Sequence, residues 1–276
     1  MTGGRVVLIT GCSTGIGRCV AVGLKVRGYH VFASARKQKD VDELINLGFD
    51  SVQLDLANSA SIRAAVEYVL QNTGGMLYAL FNNGAYGQMG AVEDLTRDVL
   101  REQFEVNFFG AHELTNSVIP VMRRQGEGRI IQNSSLLGFV ALIYRGAYNA
   151  TKYAMEGLTD TLRMELKGTN IYISLIEPGP IKSNFRKNAY AAYKRNINKE
   201  NSYHRKVYEN MEKRLQVEGP VVPFTLGPDA VLKKVIHALE SKRPRERYYV
   251  TFPTYMFACL KRILPMRTLD RILERI

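Results

Sequence analysis

Seven short apolar runs recur along the chain, at Val6–Thr10, His30–Ser34, Ser51–Leu56, Leu77–Asn82, Arg129–Asn133, Ile171–Ile176 and Arg247–Thr251. Between them lie segments in which apolar residues return at helical spacing, and strands alternating with helices in this way imply βαβ units around a parallel sheet. Because such crossovers are right-handed, the pattern predicts an α/β fold, a doubly wound parallel sheet with helices on both faces. The helices carry their own punctuation: Gly28 follows the first, Asn58 or Ser59 caps the second, and Gly126 and Gly128 end a long third. No repeat, low-complexity tract or Pro/Gly/Ser linker divides the chain, so residues 1–276 read as a single domain. Two stretches stand apart. Residues 182–220, between Gly179-Pro180 and Gly219-Pro220, lack strand alternation and mix Lys and Arg with Phe185, Tyr190, Tyr193, Tyr203 and Tyr208, which predicts a helical insert or lid beside the sheet. Residues 253–276 predict a C-terminal helical extension.

Composition narrows the class. With 276 residues and 46% hydrophobic content, the chain can bury one large core. Cys12, Cys19 and Cys259 show neither C-x-x-C spacing nor histidines at metal-ligand spacing, so no metal is expected and a reducing, cytoplasmic setting fits. Met1–Arg5 leads directly into the first apolar run, which reads as no export signal, and no window reaches the ~18 apolar residues of a membrane-spanning helix.

The net charge of +12 is unevenly placed. Residues 1–181 hold 17 basic and 17 acidic side chains, and residues 182–276 hold 21 and 9, so the whole excess lies in the final third. That excess suits a solvated face, a phosphorylated cofactor or an anionic surface. No nucleic-acid-binding motif accompanies it, and no nucleic-acid partner is expected. The apolar and basic run Tyr255–Leu264, followed by Leu269, Ile272, Leu273 and Ile276 at helical spacing, leaves three destinations open: the protein's own core, a twin subunit in a homo-oligomer, or weak peripheral contact with a membrane.

Candidate chemistry starts after the first strand, at Thr10-Gly11-Cys12-Ser13-Thr14-Gly15-Ile16-Gly17. Glycines let a backbone turn tightly and approach a pyrophosphate, and the helix that follows offers free N–H groups and a positive dipole end. The spacing is G-x-x-x-G-x-G, not G-x-G-x-x-G, and a turn that needs glycine only for steric room reads alike. About 20 residues on, an acidic side chain at the second strand's end would select NAD and a basic one would accept a 2′-phosphate. Here the segment is Ser34-Ala35-Arg36-Lys37, which points to NADP(H) through Arg36 and Lys37, with a solvated loop as the alternative. Asp55-Leu56, at the third strand's end, would face the adenine or cap the next turn.

Tyr148 and Lys152 stand four apart in a helical stretch, so they project from one face. A phenol at its ordinary pKa of ~10 holds its proton too tightly for reversible transfer near neutrality. A neighbouring ammonium would lower it, and burial would raise it. Ser135, after the fifth apolar run, would offer a hydroxyl to a substrate oxygen.

These residues together carry a resemblance. Across nearly its whole length the chain resembles the short-chain dehydrogenase/reductase family, through T-G-x-x-x-G-x-G at Thr10–Gly17, the Asn-Asn pair beginning Asn82–Ala85, Asn107, Ser135, Y-x-x-x-K at Tyr148–Lys152, and Pro178-Gly179. The resemblance implies a Rossmann-like fold and a carbonyl/alcohol oxidoreductase in which Tyr148 is the general acid/base, Ser135 orients the carbonyl, and Lys152 binds the nicotinamide ribose and lowers the tyrosine pKa. It further implies that Asn107 supports a water-linked proton relay, that Asn83 lies near the adenosine, and that Pro178-Gly179, Ile181 and Ser183 line the nicotinamide. One departure is visible: the family's N-N-A-G is here Asn82-Asn83-Gly84-Ala85. Glu177-Pro178-Gly179-Pro180-Ile181, the basic residue after the second strand and the C-terminal extension look similar to the branch of retinol and hydroxysteroid dehydrogenases and bacterial aldehyde reductases, implying a bulky apolar carbonyl or alcohol substrate. A catalytically idle NADP-binding regulator is the alternative from another class.

Overall fold

A computed structural model describes residues 4–217, 219 and 222–275. In chain order its elements are β1 (Val6–Ile9), α1 (Gly15–Val26), β2 (His30–Ala35), α2 (Gln38–Asn46), β3 (Asp50–Gln53), α3 (Ser59–Gln71), β4 (Ala79–Asn82), α4 (Arg97–Phe104), α5 (Gly110–Gln125), β5 (Gly128–Asn133), α6 (Gly146–Glu165), β6 (Ile171–Glu177), α7 (Phe185–Asn196), α8 (Arg205–Gln216), α9 (Asp229–Glu240), β7 (Arg247–Tyr249), α10 (Phe252–Ile263) and α11 (Met266–Leu273). The strands form one seven-stranded sheet in the order β3-β2-β1-β4-β5-β6-β7, every pairing parallel. This is the expected doubly wound, Rossmann-like architecture.

Alternation along the strands divides the core. Val7, Ile9, Val31 and Ala33 face a layer containing Val20, Ala21 and Leu24 of α1, Val41 and Leu44 of α2 and Val231 and Val235 of α9. Val6, Leu8 and Phe32 face the opposite layer, with Ile62, Ala65 and Val69 of α3 and Leu114, Val118 and Met122 of α5. Strands buried on both faces read as continuous apolar runs, as β1, β2, β4, β5 and β6 do, whereas the edge strands β3 and β7 keep exposed or half-buried positions. Strand order reverses between β1 and β4, and in open α/β sheets the crevice beyond such a reversal is where ligands bind.

Several boundaries differ from the sequence reading. β3 stops at Gln53, because Asp55 Oδ1 accepts the Ala57 N–H at 3.0 Å and starts a turn. β7 stops at Tyr249, because Thr251 is already the N-cap of α10. Asn58 is the cap of α3, accepting the Ser61 N–H at 3.1 Å. Gly126, with φ 78°, ends α5, whereas Gly128 opens β5. Helices α2 and α4 were not anticipated, nor was the π-turn Glu105–Phe109 that joins α4 to α5.

The 182–220 segment is helical as expected, though Glu218 and Pro220 lie outside the described residues. Its apolar side chains do not all turn to the substrate side. Ala189, Tyr193, Ile197, Tyr208 and Leu215 pack with Met89, Leu95, Val99 and Ala147, while Tyr203 is fully exposed. The C-terminal extension begins one residue early, at Phe252. Phe257, Leu269 and Leu273 pack on Leu136, Leu137 and Val140, so the apolar stripe joins the protein's own core. Ile276, its last member, is outside the described residues.

Candidate active site

At the β1–α1 turn the glycines meet two demands. Gly11 and Gly15 hold φ of 71° and 60°, the left-handed region that side chains disfavour. At Gly17 a Cβ would stand 2.2 Å from the Gly11 carbonyl oxygen. Thr14, the extended N-cap of α1, makes no side-chain cap bond, so the first-turn N–H groups of Gly15 and Ile16 are free of a side-chain acceptor. Ser13 and Thr14 stand at the mouth of this turn. Asn83 braces it from β4, its Nδ2 donating to the Thr10 and Gly11 carbonyls at 2.9 and 3.3 Å. Thr10 Oγ1 returns the support by accepting the Asn83 and Gly84 N–H groups, both at 2.8 Å. A Cβ at position 84 would stand 3.0 Å from Leu56 Cδ1, so Gly84 keeps room for Leu56 beneath the turn.

Arg18 was missed by the sequence reading, although an arginine just after G-x-G at a helix start is a visible signal. Its guanidinium donates to the Cys12 and Ser13 carbonyls at 3.2 and 2.7 Å, bracing the loop from inside. Cys12 within the loop is inert, since burial pushes its thiol up to about 12. Arg36 and Lys37 follow β2 with exposed side chains. Asp55 spends its carboxylate on the turn to Ala57. Leu56 is buried.

Beyond β5, Ser135 caps a short turn, its Oγ accepting the Leu137 N–H at 3.1 Å. Tyr148 and Lys152 share one face of α6, with Lys152 Nζ 5.6 Å from the phenol ring centre. Lys152 is buried and donates to the Asn133 carbonyl at 2.6 Å. Burial lowers its pKa to about 8, and Glu156 one turn on works against that. Burial raises Tyr148 to about 12, opposed first by its hydrogen bond to Ser135 and then by Arg145. Arg145 thus acts on the phenol, while the Lys152 ammonium, over the same ring, is drawn to the Asn133 carbonyl.

Asn107 lies in the π-turn, and one-turn π segments often mark functional places in helices. Its side chain is fully engaged: Oδ1 accepts the Tyr86 N–H at 3.1 Å, and Nδ2 donates to the Tyr86 carbonyl at 2.8 Å and to Thr151 Oγ1 at 3.3 Å. It therefore ties the β4 loop to α6 at Thr151, next to Lys152.

Behind the site lies a charge cluster that the sequence reading missed. Arg247 of β7 donates to Glu177 at 2.6 Å, to Asp160 at 2.6 Å and to Glu156. Burial first, then repulsion from Glu156, raises Glu177 to about 8, so at neutral pH it holds a proton between the two carboxyls. The cluster anchors the start of Pro178-Gly179, where a Cβ on Gly179 would stand 2.2 Å from Thr251 Oγ1. Ile181 continues that segment, paired with Leu226, and Ser183 approaches the glycine-rich turn, its Cβ 3.0 Å from where a Gly15 Cβ would be. Phe185, first residue of α7, then lays its ring edge-on to Tyr148 at 5.2 Å. Phe139, Leu142 and Tyr148 share a cluster with Phe257, Leu260 and Leu273, so the C-terminal extension walls the same cleft.

A glycine-lined crevice at the sheet's reversal thus opens onto a serine, a tyrosine and a buried lysine, and the model of the short chain dehydrogenase family matches residues 5–194. The chain belongs to that family. It is 43% identical over 268 residues to an uncharacterized oxidoreductase, YbbO, of Escherichia coli, covering 97% of this chain and 93% of that one. It is 30% identical over 276 residues to the NADPH-dependent 3-dehydrocapnine reductase of Ornithobacterium rhinotracheale, covering 97% and 95%. With retinol dehydrogenase 8 of Bos taurus it shares 35% over 191 residues, 66% of this chain and 60% of that one. It is therefore an oxidoreductase of this family, with relatives in the retinol and hydroxysteroid branch.

Proposed function

We propose that this chain uses NADP(H) to interconvert a carbonyl, aldehyde or ketone, and an alcohol on a bulky apolar substrate. The observation that carries this reading is the juxtaposition of Ser135, Tyr148 and buried Lys152, on the same sheet as a left-handed glycine turn after β1 and the exposed Arg36 and Lys37 after β2. The residues present fit the cofactor. Left-handed Gly11 and Gly15 and the uncapped start of α1 suit a pyrophosphate, with Ser13, Thr14, Ile16 and Gly17 around it, Asp55, Leu56 and Asn83 toward the adenosine, and Pro178, Gly179, Ile181 and Ser183 toward the nicotinamide. Arg36 and Lys37, in place of an acidic residue, favour a 2′-phosphate. When bound, the nicotinamide supplies or accepts the hydride.

The chain's own residues handle the proton. Ser135 Oγ orients the substrate oxygen, and Tyr148 Oη gives or takes the proton there. Lys152 holds a positive charge beside the cofactor ribose and the phenol, and Asn107 keeps the π-turn beside it as part of the proton route. Phe185 and the α10–α11 wall exclude water and supply the apolar surface that a bulky substrate needs. The free cysteines suit a reducing cytoplasm. Purified protein with NADPH and a panel of aldehydes, ketones, retinoids and steroids tests the proposal: NADPH oxidation with at least one bulky carbonyl is expected, and none with any of them would overturn it.

A second reading adds a membrane surface, because Ile263 and Met266 are 67% and 75% exposed beside Arg262 and Arg267. No helix among the described residues is long and apolar enough to cross a membrane, so such contact would be peripheral. Co-sedimentation with anionic but not neutral vesicles is the expected result.

A further inference from the structure

The wall beside Tyr148 contains a charge that the oxidoreductase reading does not use. Arg145 precedes α6 and stands three residues before Tyr148, on the same side of the helix's first turn. The residue before it, Tyr144, holds φ 59°, a left-handed conformation that a bulky side chain adopts only under constraint from its surroundings. The constraint is visible. The Gly90 N–H donates to the Tyr144 carbonyl at 3.0 Å, and the Tyr144 ring packs against His204 and Tyr208, with centroids at 5.5 and 6.4 Å. Arg145 is thereby pinned between α6 and the insert, where Leu215 shares a cluster with Ala147 and brings its neighbour Arg214 to the same place.

Two other buried or half-buried arginines have partners for their charge. Arg247 meets three carboxylates, and Arg129 lies on the Tyr172 ring and donates to the Gly128 carbonyl. Arg145 makes no ion pair and no side-chain hydrogen bond among the described residues, although it is half-buried. Burial first and then the like charge of Arg214 bring it down to about 10, and in turn it draws the Tyr148 phenol down. A desolvated cation without a counter-ion is costly unless a ligand supplies one, and a guanidinium's fork of donors matches a planar or tetrahedral oxyanion.

We propose that Arg145, with Arg214 of α8 adding positive potential, binds an oxyanion carried by the substrate a few bonds from its reacting carbonyl. The inference rests on the carbonyl-reductase reading and narrows it to amphiphilic carbonyls, an oxo acid or oxo sulfonate whose apolar remainder lies along the wall of Phe139, Leu142 and Phe257. Because Arg145 and Tyr148 are three residues apart on one helix, the anionic group must sit close to the carbonyl and not at the far end of a long chain.

Two measurements test it. The first compares NADPH-dependent kcat/KM on a medium-chain 3-oxo acid and its methyl ester, in wild type, Arg145→Gln and Arg145→Lys. Wild type should favour the acid, chiefly through KM, and Arg145→Gln should reduce the acid-to-ester ratio at least ~30-fold, with Arg145→Lys between the two. An unchanged ratio, or equal losses on both substrates, overturns the proposal and leaves Arg145 a structural residue or one that acts only on Tyr148. The second is calorimetric binding of octanesulfonate to wild type and Arg145→Gln, which requires no turnover. Binding by wild type that weakens in Arg145→Gln supports the anion site even if no carbonyl is reduced. Equal binding, or none by wild type, overturns it. A failure of the oxidoreductase reading would instead appear as no NADPH oxidation with either substrate.

Discussion

Set side by side, the cofactor half and the C-terminal third of this molecule solve different problems. Between Val6 and Asn83 nearly every functional feature is backbone: left-handed glycines, an uncapped helix start, and a threonine–asparagine brace that aligns two strand ends. Charge there is nearly balanced, seven basic against six acidic side chains. From Lys182 on, the features beside the site are packed side chains, with Phe185 edge-on to Tyr148 and Phe257 and Leu273 clustered with Leu136, and the whole surplus of basic residues lies in this third. A dinucleotide has one shape, so its cradle is rigid and encoded in short motifs. A substrate wall is read from apolar surface, and many sequences make equivalent surface.

That contrast can be broken at defined points. The largest effect belongs where both regions meet: Tyr148→Phe should lower kcat by ~10²–10⁴ while NADPH binding, followed by fluorescence titration, changes little. Retained turnover would remove Tyr148 from the chemistry. Next, Arg36→Ala should weaken NADPH by ~10–100-fold through loss of a charge-assisted pair, with little change for NADH. Equal losses for both cofactors would mean that the basic end of the crevice does not read the 2′-phosphate.

Acidity offers a smaller, graded probe. Burial places Lys152 near pH 8, so carbonyl reduction should decline as pH rises through that value and the ammonium is lost, by ~10-fold per pH unit at the limit. A pH–rate profile flat to pH 9.5 would count against a charged Lys152 as the working form. Glu177 supplies the corresponding stability test. Its folded pKa, about 8, lies above its unfolded value, so the folded state takes up a proton, and stability falls as pH rises from the ordinary carboxyl range toward 8. Glu177→Gln should flatten that fall, measured as Tm against pH; an undiminished slope would place the proton elsewhere. The smallest expected change concerns the C-terminal third alone. If α7 and α8 act as a lid, their amides should exchange more slowly once NADPH and substrate bind, whereas amides already protected in the free protein and unchanged by ligands would make them a fixed insert.

How much was legible follows from the range of the forces involved. Strands buried on both faces, glycine positions that no other residue fills well, and the Tyr148–Lys152 spacing are local, so sequence by itself determined the sheet, the crevice and the pair at its mouth. Asn83 serving as a brace and Tyr193 and Tyr208 turning inward were decided by partners far away in the chain. The same holds for the Arg247 cluster, which joins α6, β6 and β7 across about 90 residues, and for Arg145, whose want of a counter-ion exists only once the fold has assigned carboxylates to other arginines. Electrostatics and desolvation act through space, not along the chain. Only the tertiary structure decided that burial holds Tyr148 near 12, that Lys152 turns to Asn133, and that an arginine three residues earlier also acts on the phenol.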